Sequence, residues 1–338
     1  MRRIVIPRPG GPEVLRIEDG VLPPPNANEV RIAVRACGIN FADILARQGI
    51  YPDCPPYPCV VGYEASGTVV ALGADADISL QDKDVFALTD FGGYAEQVNV
   101  AAERVWLKPE QLSFEEACAV PLNYITAWAL LVALGGLSAD ETVLIHNAGG
   151  GVGLAALDIA LHIGAHTLGT ASEGKHGFLK RRGLDRAIDY TTRDWSHEVR
   201  EITGGRGVEL ILDPMGGSHW KKSYRALRAT GRLGMYGIAS ASGSGLRGKI
   251  GLLKIYAGAP LFHPGSLIPG NKGVFGLNIH AMLHEGGKFR LWMEQILKGV
   301  AEGWVRPHVD TAFRFDQAAD AHRHIEARRN IGKVLLIP

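Results

Sequence analysis

The run Thr142–His146 leads directly into Asn147–Ala148–Gly149–Gly150–Gly151–Val152–Gly153, and helical apolar spacing follows from Leu154 to Ile163. A strand, a glycine turn and a helix start in that order constrain this chain more than any other segment. The exposed amides of such a turn and the positive end of the helix dipole converge on one point, which suits a pyrophosphate. Small residues let the backbone approach phosphates, and Gly153 lets the helix pack closely on the strand. The expectation is a dinucleotide-binding unit. Ala148 stands where the usual GxGxxG pattern has its first glycine, and a plain glycine-rich turn is the competing reading; the flanking strand and helix weigh against it.

Around that unit the pattern changes twice. Up to about Lys108, short β-rich runs such as Val30–Val34, Gly67–Val70 and Ala95–Val100 alternate with Pro, Gly and Asp, as in a compact barrel-like lobe. From Ser113 to Leu134 the spacing is helical, and Ser113 and Glu116 form a capping box. From Thr142 to Ile238 strands and helices alternate, which predicts a parallel, doubly wound sheet with strands at Thr167–Ala171, Ala187–Tyr190, Val208–Asp213 and Arg232–Gly237. Ser240 to Gly270, rich in Gly, Ser and Pro, reads as a lid or connector before a short strand at Val274–Asn278. The tail holds an amphipathic helix near Lys288–Glu302 and ends in the strand Lys333–Ile337, so the cofactor unit is expected to be inserted within the barrel lobe.

The 338 residues suffice for two lobes, and 36 Lys plus Arg against 35 Asp plus Glu leave no pull toward nucleic acid or an anionic membrane. Small neutral or modestly charged ligands fit better. Cys37, Cys54, Cys59 and Cys118 form no CxxC pair and fit a reducing cytosol. Pro7 and Pro9 interrupt the N-terminus before a signal-peptide core can form, and Ile250–Phe262 is too short to cross a bilayer. A cytoplasmic protein with no membrane span is expected.

With a glycine turn placed after a β-rich lobe, the chain resembles the medium-chain dehydrogenase/reductase superfamily, in its zinc-independent quinone oxidoreductase branch. The carriers are Cys37–Gly38–Ile39–Asn40–Phe41–Ala42–Asp43, Gly49–Ile50–Tyr51–Pro52, Gly62–Tyr63–Glu64, the HNAGGGVGL turn and Asn330–Ile331–Gly332–Lys333–Val334. Asn271–Asn278 is similar to the sub-branch of synaptic vesicle membrane protein homologues. The resemblance implies a GroES-like β-rich catalytic domain, residues 1–122 and 266–338, around a doubly wound Rossmann domain, residues 123–265. Zinc alcohol dehydrogenases of the superfamily carry a cysteine where this chain has Asn40 and a histidine where it has Tyr63. Neither Asn nor Tyr is a normal substitute for thiolate or imidazole, so no metal site is expected. Without a Lewis acid, conjugated acceptors become the accessible substrates, because their developing charge delocalises and one or two hydrogen-bond donors can hold it.

By resemblance, Asn40, Asp43 and Tyr51 line the nicotinamide-side cleft, with Tyr63 close to the vacated metal position. Asn40 is the first choice as carbonyl donor, against the alternative of a turn-capping amide. Tyr51 is preferred over Tyr63 as the phenolic donor, and Tyr63 could equally pack its ring between lobes. Asp43 either orients a donor or water or makes a structural hydrogen bond at a helix start. The cofactor contacts carried over are Thr126, Gly150, Gly151, Val152 and Gly153, then Ile238, Ser240 and Asn330. At the end of the second strand Ala171 replaces the acidic ribose ligand of NAD enzymes, and Ser172, Lys175 and Tyr190 are placed to receive a 2′-phosphate, so NADPH is expected over NADH. Gly216 and Gly217 read as tight-turn residues. His146 reads as a strand-end residue, and His280 and His284 as surface positions.

The function expected is NADPH-dependent reduction of quinones or α,β-unsaturated carbonyls by a homodimer. The alternatives are an acyl-thioester enoyl reductase and a non-catalytic NADPH-binding interaction protein.

Overall fold

The computed structural model describes residues 1–241, 243 and 245–338. A small antiparallel pair, β1 (Arg2–Val5) and β2 (Arg16–Asp19), lies against the first lobe. That lobe is built on β3 (Glu29–Ile39), β4 (Glu64–Leu72), β5 (Asp84–Leu88), β6 (Gln97–Ala101) and β7 (Val105–Leu107). The parallel sheet contains β8 (Thr142–Ile145), β9 (His166–Ala171), β10 (Arg186–Asp189), β11 (Val208–Asp213), β12 (Leu227–Met235) and β13 (Gly273–Gly276). The chain returns through β14 (Val309–Arg314) and β15 (Lys333–Ile337).

The six-stranded sheet has the order β10-β9-β8-β11-β12-β13, with every pair parallel. It reverses direction of growth beside β8, and ligands collect outside the carboxyl ends of strands at such a switch point. The other sheet runs β14-β15-β3-β4-β5-β7, with β6 also paired to β3. Tail and head are thus stitched by β15, whose Val334, Leu335 and Leu336 face Ile39, Gly38 and Cys37 in register. β13 lies beyond residue 266, where the chain was expected to return to the barrel lobe, and its register with β12 carries the parallel sheet to Gly276.

Helices follow the apolar spacing. The first is α1 (Phe41–Gln48); then α2 (Phe114–Cys118), with the Ser113/Glu116 capping box formed, and α3 (Pro121–Trp128) lead between the lobes. The run Phe114–Ala133 is long and apolar enough to cross a membrane by composition, yet 72% of its most apolar window is buried inside the protein, as for a core helix. The glycine turn opens α4 (Gly151–Ile163), whose Asp158 is buried and holds Arg182 at 2.6 Å, Arg306 at 2.8 Å and the Tyr124 hydroxyl at 2.6 Å. Around the sheet follow α5 (Glu173–Arg182), α6 (Trp195–Ile202) and α7 (Ser218–Ala226).

The segment read as a lid or connector holds helices that its composition did not reveal. It contains α8 (Gly245–Gly258) and α9 (Pro264–Gly270), while Ser242 and Ser244 lie outside the described residues. Glycines hid the helix in the sequence and are what seat it. A side chain at Gly248 would meet the Gly243 carbonyl oxygen at 2.1 Å, and one at Gly251 the Ala241 carbonyl at 3.0 Å. The later helices, α10 (Gly286–Glu302) and α11 (Ala318–Glu326), pack on the α3/α4 core and on β15 respectively.

Candidate functional site

Two segments of the barrel lobe and one residue of the tail make a buried polar cluster at the position the resemblance assigns to the nicotinamide side. Asn40 follows β3 and immediately precedes α1; Glu64 begins β4; Lys333 begins β15. Lys333 and Glu64 are almost fully buried and ion-paired. Lys333 Nζ also donates to Asn40 Oδ1 at 2.5 Å, Asn40 Nδ2 donates to Glu64 Oε1 at 3.1 Å, and the Leu122 N–H donates to Glu64 Oε2 at 3.1 Å. An ammonium can only donate, so the face of Asn40 toward Lys333 must be its carbonyl oxygen and the amide orientation is fixed. One of the two Nδ2 hydrogens remains after Glu64 is served. The bare Gly38 makes room, because a Cβ there would lie 2.3 Å from Glu64 Oε1 and 2.5 Å from Lys333 Cε.

Asn40 is the N-cap residue of α1 and forms a capping box with Asp43, the turn-capping role the sequence allowed, while its side chain also bonds Lys333 and Glu64. Asp43 performs the helix-start role: its carboxylate accepts from Asn40 N at 2.7 Å and from Gly62 N at 3.0 Å, tying α1 to the loop before Tyr63. Burial pushes its pKa up to about 7, opposed by those two N–H groups and by Lys333.

Tyr51 and Tyr63 meet edge to face with ring centroids 6.3 Å apart, and Tyr63 also contacts Phe91 at 4.9 Å and His280 at 5.8 Å. Burial raises the Tyr51 phenol to about 12 and moves the Tyr63 phenol further in the same direction, with Tyr51 adding to the effect. Both phenols stay protonated across neutral pH. Among the described residues the buried Tyr63 Oη has no hydrogen-bond partner. His280 was expected at the surface but is half-buried in this wall, bonded to Asp90 at 3.0 Å and 3.6 Å from Asp53. His284 is exposed as expected.

The glycine turn has the shape a pyrophosphate needs. Gly150 caps α4 without a side-chain acceptor, leaving first-turn N–H groups for a ligand. A Cβ on Gly153 would stand 2.3 Å from the Asn147 carbonyl oxygen, and one on Gly151 would strike the Asn123 amide at 2.6 Å. Val152 is half-buried between them, and Thr126 is buried one turn of α3 beyond Asn123. The tail closes over the turn: Gly332 N bonds Gly149 O at 2.8 Å, and Lys175 Nζ bonds Asn330 O at 2.5 Å.

At the ends of β9 and β10, Ser172 caps α5, Lys175 is partly buried, and Tyr190 is exposed beside Arg328, whose Nη1 lies 3.4 Å from the Tyr190 hydroxyl. Burial lowers the Lys175 pKa, and the Arg328 charge contributes. Arg328 and Asn123 were absent from the sequence reading. The Arg328–Arg329 pair just before Asn330 was the available signal for the first. Ile238 packs against Gly216 on the far side of the switch point, and Ser240 Oγ is turned to the Met215 carbonyl at 2.7 Å. Gly216 and Gly217 have φ of 92° and 61°, the left-handed turn conformations expected of them.

Behind the strand ends, His146, Asp213 and His219 bring ligand-type atoms within 4.8 Å of one another. Their bonds are already closed: His146 contacts Thr170 at 3.0 Å and Ser223 at 3.3 Å, while Asp213 Oδ2 accepts from Ser223 and His219 at 2.6 Å each. Burial pulls His146, and also His322 beneath Tyr94, down to about 3. Both are neutral in the folded chain, whereas in the unfolded chain they titrate near ~6.5. Stability is therefore intact above ~6.5 and falls as the pH drops from there, by ~1.4 kcal/mol per pH unit for each histidine. Denaturant midpoints between about pH 7 and pH 5 check this, and His322→Gln is expected to remove roughly one proton from the slope.

Comparison with known proteins gives a consistent placement. Residues 26–110 match the alcohol dehydrogenase GroES-like domain and residues 182–336 the zinc-binding dehydrogenase family. The chain is 35% identical to the synaptic vesicle membrane protein VAT-1 homolog of Rattus norvegicus over 341 residues, covering 100% of this chain and 84% of the rat protein. The crystal structure of the human VAT-1 homolog-like protein superposes with a TM-score of 0.87 at 30% identity, over 100% of this chain and 98% of the human one. The Escherichia coli quinone oxidoreductase, solved in complex with NADPH, gives 0.88 at 28% identity and full coverage of both chains. With its barrel lobe, parallel sheet and glycine turn, the chain belongs to the medium-chain dehydrogenase/reductase superfamily, in the quinone oxidoreductase and VAT-1-like branch.

Proposed function

We propose that this protein is an NADPH-dependent, zinc-independent oxidoreductase that reduces quinones or α,β-unsaturated carbonyls. The observation that carries the reading is the buried hydroxyl of Tyr63, unpartnered among the described residues, in a wall shared with Tyr51, together with a positionally locked Asn40. A buried hydroxyl left unsatisfied is costly, and a ligand carbonyl oxygen supplies the missing acceptor. Bound NADPH supplies a hydride. Asn40 donates its remaining amide hydrogen to the acceptor oxygen, and Tyr51 and Tyr63, held neutral by burial, donate the others.

Zinc does not fit the donor set. Asn40 and Tyr63 provide an amide and a phenol held in its protonated form, and the Lys333 ammonium bonded to Asn40 opposes a second cation there. NADPH does fit: the side-chain-free turn at Gly150–Gly153 accepts the pyrophosphate. Lys175, Arg328, Ser172 and Tyr190 form the 2′-phosphate end, with Asn330 closing over it and Thr126, Ile238 and Ser240 along the dinucleotide.

The decisive experiment mixes purified protein and NADPH with enones, quinones and saturated ketones, with and without chelator. Chelator-insensitive turnover of the conjugated acceptors is expected; metal-dependent turnover of saturated ketones alone would overturn the reading. Replacing Arg328 by Ser is expected to reduce the preference for NADPH over NADH by roughly 10- to 100-fold in kcat/KM, the loss of about 1.5–3 kcal/mol from one charge-assisted bond. An unchanged ratio would place the phosphate elsewhere. We further propose a cytoplasmic homodimer paired along β13, the sheet's terminal strand, since Leu253, Tyr256, Leu261 and Ile268 in the segment leading into it are strongly exposed. A monomer mass by light scattering would refute it.

A further inference from the structure

We propose that Cys54 and Cys59 form an oxidant-reactive dithiol, a covalent modification site in the wall of the cleft that closes to a disulfide when the protein meets a hydroperoxide. The two Sγ atoms lie 4.0 Å apart, and both cysteines are free. Their surroundings divide the labour. Cys54 is half-buried on the turn after Tyr51, where its thiol also contacts the Tyr57 hydroxyl at 3.5 Å and the Pro55 carbonyl at 3.4 Å. Cys59 is buried, and its backbone is clamped to Ile6 by bonds of 2.8 and 3.0 Å. The hydrogen bond from Cys59, with help from Tyr57, brings the Cys54 pKa down to about 7 against the opposing effect of burial. The same contact with Cys54, together with burial, pushes Cys59 up. Cys54 is thus the more acidic and more accessible thiol, and Cys59 the protonated partner behind it.

The chemistry balances as follows. The Cys54 thiolate attacks one hydroperoxide oxygen, the O–O bond breaks, and the alkoxide leaves and is protonated to an alcohol, giving Cys54 sulfenic acid. Cys59 sulfur then attacks Cys54 sulfur; the S–O bond breaks, and the hydroxyl departs as water with the Cys59 proton. Two thiols and one alkyl hydroperoxide give one disulfide, one alcohol and one water; with hydrogen peroxide the leaving group is hydroxide and two waters form. Closing the gap to a bond of about 2 Å needs a movement of about 2 Å. Cys59 is fixed, so the turn carrying Cys54 moves. Asp53 on that turn is bonded to Asn278 at 3.0 Å, and Tyr51 reaches Tyr63, so the crosslink reshapes the wall of the cleft. Cys37 and Cys118 are fully buried, with thiols raised by burial, and stay reduced.

The test treats the full-length protein with hydrogen peroxide and, separately, cumene hydroperoxide, then maps thiols by peptide mass spectrometry. Expected are loss of two thiols, a Cys54–Cys59 crosslinked peptide and recovery with dithiothreitol. Cys54→Ser should slow thiol loss at least ~10-fold, and Cys59→Ser should leave Cys54 as a trappable sulfenic acid with no crosslink. Both variants retain the size of the native side chain, and circular dichroism confirms their fold. Wild-type protein that keeps four thiols, or that carries oxidised Cys54 without a crosslink, overturns the site; this readout needs no turnover and stands apart from the proposed reductase activity. A crosslink that leaves KM for an enone unchanged overturns its coupling to the cleft.

Discussion

Replacing Gly153 by valine is expected to weaken NADPH binding by about 100-fold or more, a loss of ~2.7 kcal/mol, while a matched Gly174→Ala variant binds as the wild type does. The difference lies in what each new Cβ meets. At Gly153 it would stand 2.3 Å from the Asn147 carbonyl oxygen and 2.7 Å from that of Ala148, both backbone atoms of the turn itself, whereas at Gly174 nothing lies within 4 Å. Backbone cannot rotate away as a side-chain end can, so α4 must lift from β8. The N–H groups at its start then leave the point on which they converge, and the pyrophosphate loses both its hydrogen bonds and the dipole. Because the α4 face is packed on the large core of the cofactor unit, the same displacement should lower thermal stability. Fluorescence titration with NADPH and thermal unfolding of both variants are the measurements. Equal affinities would mean that the cofactor does not use this turn.

The glycine turn was legible because everything that makes it work is local: strand, turn and helix are contiguous, and their periods change at the residues where the structure changes. The same holds for the Ser113 cap and for strand β15. What escaped the sequence is long-range. Lys333 was visible only as part of a closing motif, and nothing in its neighbourhood reveals that it binds Asn40, 293 residues earlier. Arg328 sits in an unremarkable turn with a positive φ of 55°, and its place beside Tyr190 exists only because the tail folds over the glycine turn. His280 looked like a surface residue since its short 3₁₀ segment has no apolar period, yet the chain after β13 swings back against Tyr63 and Phe91. The segment holding α8 misled for the opposite reason. Its glycines lower intrinsic helix propensity, and the helix exists because their bareness permits close seating on Ala241 and Gly243.

Lys333→Met is expected to cost roughly 3–5 kcal/mol of stability and to abolish most of the proposed enone reduction, because it removes the cation paired with the fully buried Glu64 carboxylate. The two losses have different origins, and a second substitution separates them. In Lys333→Met/Glu64→Leu the uncompensated charge is gone, and replacing a buried ion pair by apolar groups of similar volume is often close to neutral, so much of the stability should return. Activity should not. Asn40 would then lack both the donor that fixes its carbonyl oxygen and the acceptor that fixes its amide, so the remaining N–H would lose its aim at a substrate oxygen. The expected signature is a kcat lower by about 100-fold, the cost of losing one preorganised donor to a developing oxyanion, with NADPH affinity unchanged because the glycine turn is untouched. Asn40→Ala in the wild-type background should give a similar kcat at a smaller loss of stability than Lys333→Met, about 1–3 kcal/mol, because Lys333 and Glu64 each lose one buried bond but keep each other. If the double variant recovered activity along with stability, the Lys333–Glu64 pair would be a structural rivet only, and the acceptor oxygen would have to be held by Tyr51 and Tyr63 alone.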